Sequence, residues 1–196
     1  MLIDILGKYN IKATFFVVGG WVDKYPESVK ALHDAGHEVM NHSNTHAHMS
    51  KLSRDEIIAD VEACNDKIEA VTGVRPTLIR PPYGEYDDNV ITAIRSIGME
   101  PIQWDVDSLD WKDLPAGEIT QRVTSKVQPG SIVLFHNAAL HTPEALPGII
   151  ETLLQEGYTF VPISEILLPG EYTIDHTGRQ LPAAPAASQA PQTPQA

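Results

Sequence analysis

Four short polar segments of the chain carry residue types suited to hydrolytic chemistry. In chain order they are His42-Ser-Asn-Thr-His46, Arg80-Pro-Pro-Tyr-Gly84, Asp107-Ser-Leu-Asp-Trp111 and Leu134-Phe-His136. Each segment lies at the end of a predicted strand. A barrel of alternating strands and helices places its active site at the C-terminal ends of its strands, so we expect the four segments to converge on one face. The pattern predicts an enzyme.

The first segment has the spacing of a metal site. His42 and His46 are four residues apart, which lets two imidazoles bind one ion, and imidazole suits zinc and other borderline divalent metals. Catalytic zinc usually has three protein ligands and an open position for water. The third ligand is not obvious: Asp4 lies on the wrong element, and Asp105 or Asp107 would need an adjacent strand.

The second segment, Arg80–Gly84, is rigid and tightly turned. Its two prolines fix φ, and Gly84 permits a backbone that other residues could not follow. Such a turn can hold the Tyr83 N–H as an oxyanion donor and direct Arg80 at a carboxylate. The alternative is a loop anchored by proline and tyrosine, with Arg80 as a solvated cation.

The last two segments together suggest a general acid. We predict that Asp107 hydrogen-bonds His136 and raises its pKa, so that the protonated imidazole can donate a proton. Trp111 would form a sugar-stacking or pocket wall. The alternatives are an Asp-rich turn with a surface tryptophan, and a core histidine bonded to backbone.

Alternating strands and helices are expected to position these segments. Runs of β-rich residues alternate with amphipathic stretches, and Ser53-Arg-Asp-Glu56 fits a capping box. This alternation predicts parallel βα units in one α/β domain over residues 1–168. Strands are predicted over 13–18, 38–41, 77–80, 99–106, 131–135 and 159–162, and helices over 2–10, 26–35, 53–72, 87–97, 116–127, 143–155 and 164–168.

Composition narrows the class of protein. A chain of 196 residues fits one domain, and its formal net charge of −12 argues against nucleic acid or an anionic membrane surface as partner. The single Cys64 excludes an intramolecular disulfide and a cysteine-rich zinc site, and no run approaches the roughly 20 apolar residues of a membrane helix. Residues 169–196, rich in Pro, Ala and Gln, are expected to be a disordered tail.

Taken together, the segments resemble the motifs of NodB-type polysaccharide deacetylases, carbohydrate esterase family 4. They match the family's His-Ser/Thr-x-x-His, Arg-x-Pro-Tyr-Gly, Asp-x-x-Asp-Trp and Leu-x-His motifs in order and spacing, over roughly residues 1–168. The residues around Asp107 and His136 are similar to the branch associated with sporulation and cell-wall modification. The resemblance implies a distorted (β/α) barrel that removes N-acetyl groups from peptidoglycan or chitin-like polysaccharide.

The resemblance also implies roles for individual residues. His42 and His46 would hold a divalent metal, with zinc the first expectation and cobalt, nickel or manganese as alternatives. The Tyr83 N–H would stabilise the oxyanion, and His136, oriented by Asp107, would protonate the leaving amine. Leu134 and Trp111 would shape the pocket for the acetyl methyl group.

One family motif has no counterpart in this sequence. It is Thr-Phe-Asp-Asp or a variant, which supplies the base aspartate and the third metal ligand and, in the family, pairs with the arginine at the position of Arg80. We expect the chain to be truncated at its N-terminus, without the first barrel strand or the export signal of a cell-envelope protein, and to deacetylate poorly. The alternatives are a non-catalytic glycan-binding remnant and a metal-dependent amidase acting on small imides or amides.

Overall fold

Strands and helices alternate along the computed structural model, which describes residues 1–170 and 172–183. The helices are α1 (Leu2–Lys8), α2 (Gly19–Lys24), α3 (Pro26–Asp34), α4 (Arg54–Thr72), α5 (Asp88–Ser96), α6 (Ala116–Thr124), α7 (Thr142–Gln155) and α8 (Ile163–Ile166). The strands are β1 (Thr14–Val17), β2 (Glu38–Asn41), β3 (Leu78–Ile79), β4 (Glu100–Pro101), β5 (Val106–Asp107), β6 (Val133–Leu134), β7 (Tyr172–Ile174) and β8 (Gln180–Pro182).

The first six strands form two parallel sheets. One has the order β1-β2-β3-β4, and the other pairs β5 with β6. The predicted strand over 99–106 is therefore two short strands in different sheets. Within the described part of the chain the two sheets do not close into a complete barrel, so the arrangement is an open, distorted version of the predicted fold. The α/β class and the parallel βα units are confirmed.

Helix α4 shows how local sequence and packing agree. The predicted capping box is present, because the Ser53 side chain accepts from the Glu56 N–H and the Glu56 carboxylate accepts from the Ser53 N–H. The helix ends at Gly73, whose φ of 75° is left-handed and favours glycine. Its inner face buries apolar residues against neighbouring helices and β2; they include Ile57, Val61, Cys64 and Ile68.

Two predicted elements differ from the observed ones. Gly19 and Gly20, predicted to end a strand, instead open helix α2. Residues 159–162 are not a strand, and the chain there is tied to the edge strand by side chains: the Ile163 N–H donates to Thr14 Oγ1 at 2.8 Å. Pro162 lacks the N–H that a ladder needs, which explains why a side chain replaces strand pairing.

Secondary structure continues past the predicted domain boundary at residue 168. Strands β7 and β8 form an antiparallel hairpin in which Thr173 pairs with Leu181. The hairpin lies against the break between β4 and β5, where a Cβ on Gly178 would come within 1.9 Å of the Trp104 carbonyl oxygen. The ordered unit thus extends through β8, and the rest of the predicted tail, 184–196, lies outside the described residues. None of the described helices has the length and apolar character needed to cross a bilayer.

Candidate active site

A buried asparagine shapes the loop that carries the two histidines. Asn41 ends β2 with its side chain fully buried, and its amide donates to the Val61 carbonyl at 2.9 Å and to Asn65 Oδ1 at 2.7 Å. The same side chain accepts from the Ser43 N–H at 2.6 Å. This bond holds Ser43 at a φ of 70°, a left-handed conformation unusual for a residue other than glycine. The chain therefore turns sharply just after His42.

The same loop is fixed from two further sides. The Gly19 N–H donates to the Ser43 carbonyl at 3.0 Å, and a Cβ on Gly19 would lie 2.2 Å from Asn44 Oδ1, so only glycine fits there. On the other side the Asp60 carboxylate accepts from the Asn44 N–H at 2.8 Å and from Thr45 Oγ1 at 2.7 Å. Helices α2 and α4 thus hold the loop in one conformation.

The two imidazoles face each other with one nitrogen of each ring free of protein hydrogen bonds. His42 Nδ1 lies 2.6 Å from the Arg80 carbonyl and must donate to it, which leaves Nε2 unprotonated. His46 Nδ1 lies 3.2 Å from the Tyr83 hydroxyl. The ring centroids are 5.0 Å apart at an interplanar angle of 78°, close to the roughly 5 Å expected when two imidazoles bind one tetrahedral zinc.

The pKa of His42 is set by its burial and by the charged groups around it. Burial lowers the pKa of His42 to about 4, and the positive charges of His46, Arg80 and His136 lower it further. The ring is therefore neutral at pH 7, the form that binds metal. Among residues 1–170 and 172–183 no cluster of three or more His, Cys, Asp or Glu is placed to hold a metal ion.

The partner of His136 is Asp110, and the prediction of Asp107 is wrong. Asp110 is fully buried, and its carboxylate lies 2.8 Å from His136 Nδ1 and 2.8 Å from the His136 N–H, while also accepting from Thr142 Oγ1 at 2.6 Å. Burial alone would raise the pKa of Asp110, but these hydrogen bonds outweigh it and hold the pKa below its usual value. His136 is thus oriented by an ionised carboxylate.

Backbone geometry explains why Asp110, and not Asp107, bonds His136. Asp107 bonds locally, accepting from the Leu109 N–H at 2.9 Å. Leu109 has a φ of 55°, and this left-handed turn directs Asp110 inward. Spacing alone does not distinguish the two carboxylates. Asp105, weighed above as a metal ligand, is also excluded, because it bonds Ser131, the Ile132 N–H and Arg179 at the opposite strand ends.

Two residues that the sequence did not single out, His48 and Glu85, contact the turn at Tyr83. Tyr83 has a φ of 61° and is 58% exposed. The His48 ring stacks on it at 4.0 Å with an interplanar angle of 12°, and His48 Nδ1 lies 2.6 Å from Glu85 Oε1. The turn's own bonds, from Gly84 and Glu85 to the carbonyls of the two prolines, do not use the Tyr83 N–H.

Arg80 is buried, so the alternative of a solvated cation is wrong. Its guanidinium lies 4.4 Å from the Phe16 ring centre and 5.5 Å from that of Trp104, and Nη2 donates to the Gln103 carbonyl at 3.3 Å. Burial lowers the pKa of Arg80 to about 9, so it remains charged at neutral pH. Within the described residues Arg80 has no carboxylate partner, and its Nε is buried without any hydrogen bond.

The two residues predicted to line a pocket, Leu134 and Trp111, lie beside Asp107 and Asp110 respectively. Leu134 ends β6, is 7% exposed and pairs directly with Asp107 on β5. Trp111 follows Asp110 and is 55% exposed, with Lys112 Nζ 5.1 Å from its ring centre. One predicted pocket residue is therefore buried and the other exposed, and both are close in sequence to the His136–Asp110 pair.

Comparison with known proteins agrees with these features. Residues 1–102 match the family model for polysaccharide deacetylase. The chain is 37% identical over 165 residues to the peptidoglycan-N-acetylmuramic acid deacetylase PdaC of Bacillus subtilis, covering 84% of this chain and 35% of PdaC. It therefore spans about a third of the length of that relative.

Solved structures extend the similarity to the fold. A CE4 family pseudoenzyme from Bacillus anthracis superposes with a TM-score of 0.82 at 39% identity, over 84% of this chain and 58% of that one. A mutant of it with restored enzymatic activity gives the same TM-score, 0.82, at 40% identity, over 84% and 60%. A peptidoglycan N-acetylglucosamine deacetylase bound to 4-naphthalen-1-yl-N-oxidanyl-benzamide gives 0.82 at 32% identity, over 84% and 78%. The chain belongs to the polysaccharide deacetylase family.

Proposed function

We propose that this chain forms part of a metal-dependent hydrolase that removes N-acetyl groups from the amino sugars of a polysaccharide, with peptidoglycan as the leading substrate class. The observation that carries the proposal is the placement of two imidazoles, His42 and His46, with ring centroids 5.0 Å apart, near the His136–Asp110 pair. The relatives named as peptidoglycan deacetylases support the choice of substrate.

The histidine pair fits a divalent metal, and zinc suits it best. Both rings have an available Nε2, and imidazole nitrogen is a preferred ligand of zinc. When bound, such a metal would polarise the acetamide carbonyl and lower the pKa of a water molecule. Cobalt, nickel and manganese remain alternatives, because imidazole binds several divalent transition metals.

Other residues of the site would handle the proton and the developing charge. Protonated His136, held by the ionised Asp110, would donate its Nε2 proton to the leaving amine nitrogen as the C–N bond breaks. The Tyr83 N–H would donate to the oxyanion of the tetrahedral intermediate. Trp111 would stack against a sugar ring, and Leu134 would contact the acetyl methyl group.

A second candidate is a glycan-binding domain with little or no turnover. Catalytic zinc usually has three protein ligands, whereas the described residues supply two at this position. Arg80 also has no carboxylate beside it. The pseudoenzyme neighbour and its reactivated mutant indicate that this fold occurs in both inactive and active forms.

Metal titration and acetate release separate the two candidates. We expect the chain to bind one zinc ion by calorimetry, and His46→Ala to weaken binding by at least roughly 10- to 100-fold. Acetate release from N-acetylglucosamine oligomers should require zinc and be lost in His136→Ala, which keeps the metal. His33→Ala, a change on α3 away from the site, is the matched control.

Each outcome selects one candidate. Zinc-dependent acetate release that His136→Ala abolishes supports the hydrolase. Binding of the oligomers at the same affinity with or without zinc, and no acetate release in any variant, selects the glycan-binding domain. Zinc affinity that is unchanged in His46→Ala would contradict the metal site in both.

A further inference from the structure

The Tyr83 side chain is held on two sides although much of it is exposed. Its ring centroid lies 4.0 Å from that of His48, at an interplanar angle of 12°, and 4.8 Å from that of His46, at 74°. The Tyr83 hydroxyl lies 3.2 Å from His46 Nδ1. The ring is therefore fixed on one face by stacking and at its tip by a hydrogen bond.

His48, which stacks on this ring, is itself anchored by a carboxylate. His48 Nδ1 lies 2.6 Å from Glu85 Oε1 and donates to it, because a carboxylate oxygen is an acceptor. The other oxygen, Glu85 Oε2, accepts from the Ser50 N–H at 3.2 Å and from Ser50 Oγ at 2.8 Å. Glu85 thus ties the segment after His46 to the turn that carries Tyr83.

The backbone is strained at both residues that meet in this contact. Tyr83 has a φ of 61° and His46 a φ of 58°, and both values lie in the left-handed region, which is unfavourable for residues other than glycine. The His46 N–H donates to Ser43 Oγ at 2.7 Å, which supports its conformation. Strain of this kind persists where the surroundings impose it, and it concentrates at functional sites. The loop and the turn are accordingly shaped so that the two side chains meet.

The hydrogen bond between Tyr83 and His46 can form with either of two imidazole tautomers. If the hydroxyl donates to Nδ1, the proton lies on Nε2, whereas if Nδ1–H donates to the hydroxyl oxygen, Nε2 keeps a free lone pair. Only the second tautomer leaves Nε2 able to bind a metal. Histidines that bind metals normally donate their other ring N–H to a fixed acceptor, which sets the tautomer and the ring direction. His42 has such an acceptor in the Arg80 carbonyl.

We propose that Tyr83 is a positioning residue for His46: its hydroxyl accepts from His46 Nδ1–H and keeps Nε2 unprotonated, and the His48–Glu85 pair holds the Tyr83 ring in place. The purpose of this arrangement, a ready metal ligand, rests on the proposed function, but the tautomer itself is a property of the metal-free chain. Because the Tyr83 N–H is also the oxyanion donor of the proposed function, one turn would set both groups.

The tautomer of His46 is measurable without metal or turnover. Two-bond ¹H–¹⁵N spectra of the imidazoles distinguish the two forms, in EDTA at about pH 8, where a ring with the ordinary pKa of about 6.5 is neutral. We expect His46 in the Nδ1–H form, with its signals assigned by their loss in His46→Ala. Two other rings are internal references: His42 should show the same form, and His37, whose Nδ1 accepts from the Ala13 N–H at 3.2 Å, the opposite one. A wild-type His46 in the Nε2–H form would overturn the proposal, whatever the variants do.

Tyr83→Phe removes the hydroxyl and keeps the ring and the backbone N–H. The ratio of the Nδ1–H to the Nε2–H form of His46 should fall roughly 2- to 10-fold, the worth of one hydrogen bond. Zinc affinity by calorimetry should fall roughly 10- to 100-fold, because the ring direction is lost as well. Tyr158→Phe is the matched control, since it removes a hydroxyl that donates to the Val127 carbonyl at 3.3 Å away from the site, and it should change neither quantity. An unchanged tautomer ratio in Tyr83→Phe contradicts the role of the hydroxyl.

Two variants of His48 test how the ring is held. His48→Ala should lower the His46 tautomer ratio in the same direction, and His48→Phe, which keeps a flat ring for stacking, should restore most of it. Unchanged His37 and His42 signals would show that the fold is intact. A wild-type ratio in His48→Ala overturns the role of His48.

These results are separate from those that test the proposed function. A His46 tautomer that responds to Tyr83→Phe in a chain without zinc-dependent acetate release would support the positioning role and count against the hydrolase. Acetate release by a chain whose His46 tautomer does not respond would do the reverse.

Discussion

Two arginines at opposite ends of the strands are held in opposite ways. Arg179 lies at the N-terminal ends of β5 and β6, where Nη1 donates to Asp105 Oδ2 at 2.7 Å and Nη2 to the Pro129 carbonyl at 2.9 Å. The Asp105 side chain is 5% exposed and also accepts from the Ile132 N–H at 2.7 Å. Every partner in this cluster is satisfied, and the cluster fastens the C-terminal hairpin to the domain.

Arg80 follows directly on β3, at the C-terminal end of its strand, is 7% exposed, and has no carboxylate beside it among the residues that the structure describes. The difference teaches that the two ends of this fold have separate tasks. In barrel-type enzymes the N-terminal ends of the strands serve stability and the C-terminal ends carry the chemistry. Unsatisfied polar groups are tolerated where function requires them, and among the described residues the one such buried side-chain atom is Arg80 Nε.

The largest expected effect is on acetate release, for a variant at the C-terminal ends of the strands. Asp110→Asn should lower acetate release by roughly 100- to 10,000-fold, because the amide removes the negative charge that faces His136 Nδ1. Asp107→Asn should change the rate less than tenfold. Zinc-dependent acetate release from N-acetylglucosamine oligomers measures both, with calorimetry to verify that each variant binds zinc equally. A larger loss in Asp107→Asn than in Asp110→Asn would instead support Asp107 as the residue that orients His136.

The next largest effect is on stability, for a variant in the Arg179 cluster at the N-terminal ends of β5 and β6. Asp105→Ala leaves Arg179 partly buried without its counterion and removes the acceptor of the Ile132 N–H, so the free energy of unfolding should fall by about 2–4 kcal/mol. Urea denaturation measures it. The control is Asp34→Ala, which breaks the exposed Lys30–Asp34 pair and should cost no more than about 1 kcal/mol. Equal losses in the two variants would show that the Arg179 cluster stabilises the fold no more than an exposed ion pair does.

Arg80 should respond with the opposite sign. Arg80→Met replaces a buried charge, which has no carboxylate beside it among the described residues, with an apolar side chain of similar length near Phe16 and Trp104, so stability of this chain should rise by about 1 kcal/mol or more. The same urea experiment applies, in buffer free of carboxylate and phosphate. A destabilisation as large as that of Asp105→Ala would show that the two ends do not differ in the way described.

The smallest effect concerns acid. The pKa of Asp110 is held below its usual value of 3.8 in the folded protein, so its ionised form contributes stability that is fully present above that pH and is lost as pH falls through the lower folded pKa. The stability difference between wild type and Asp110→Asn should therefore shrink as pH falls from about 5 to below 3.8. Thermal melts across this range test it, and a difference that grew on acidification would be the wrong sign.

Much of this protein could be predicted from its sequence, because many of its signals are local. The capping box at Ser53 and Glu56 depends on residues three apart, and the strand over Glu38–Asn41 was predicted at its observed bounds. The family resemblance is confirmed by the match of residues 1–102 to the polysaccharide deacetylase model, a range that includes the first two of the four polar segments. The two histidines face each other as their spacing predicted, although metal binding itself stays a prediction.

Only the tertiary structure decided how these segments meet. The choice of Asp110 over Asp107 depends on the left-handed turn at Leu109 and on Thr142 from α7, far away in sequence. The stacking of His48 on Tyr83 and the pairing of Asp105 with Arg179 join residues 35 and 74 positions apart. The rings that lie near buried Arg80 likewise come from distant segments, Phe16 from β1 and Trp104 from the stretch between β4 and β5. Sequence patterns report which residues are available and how each segment bends, whereas partners and burial arise from long-range packing that no local pattern encodes.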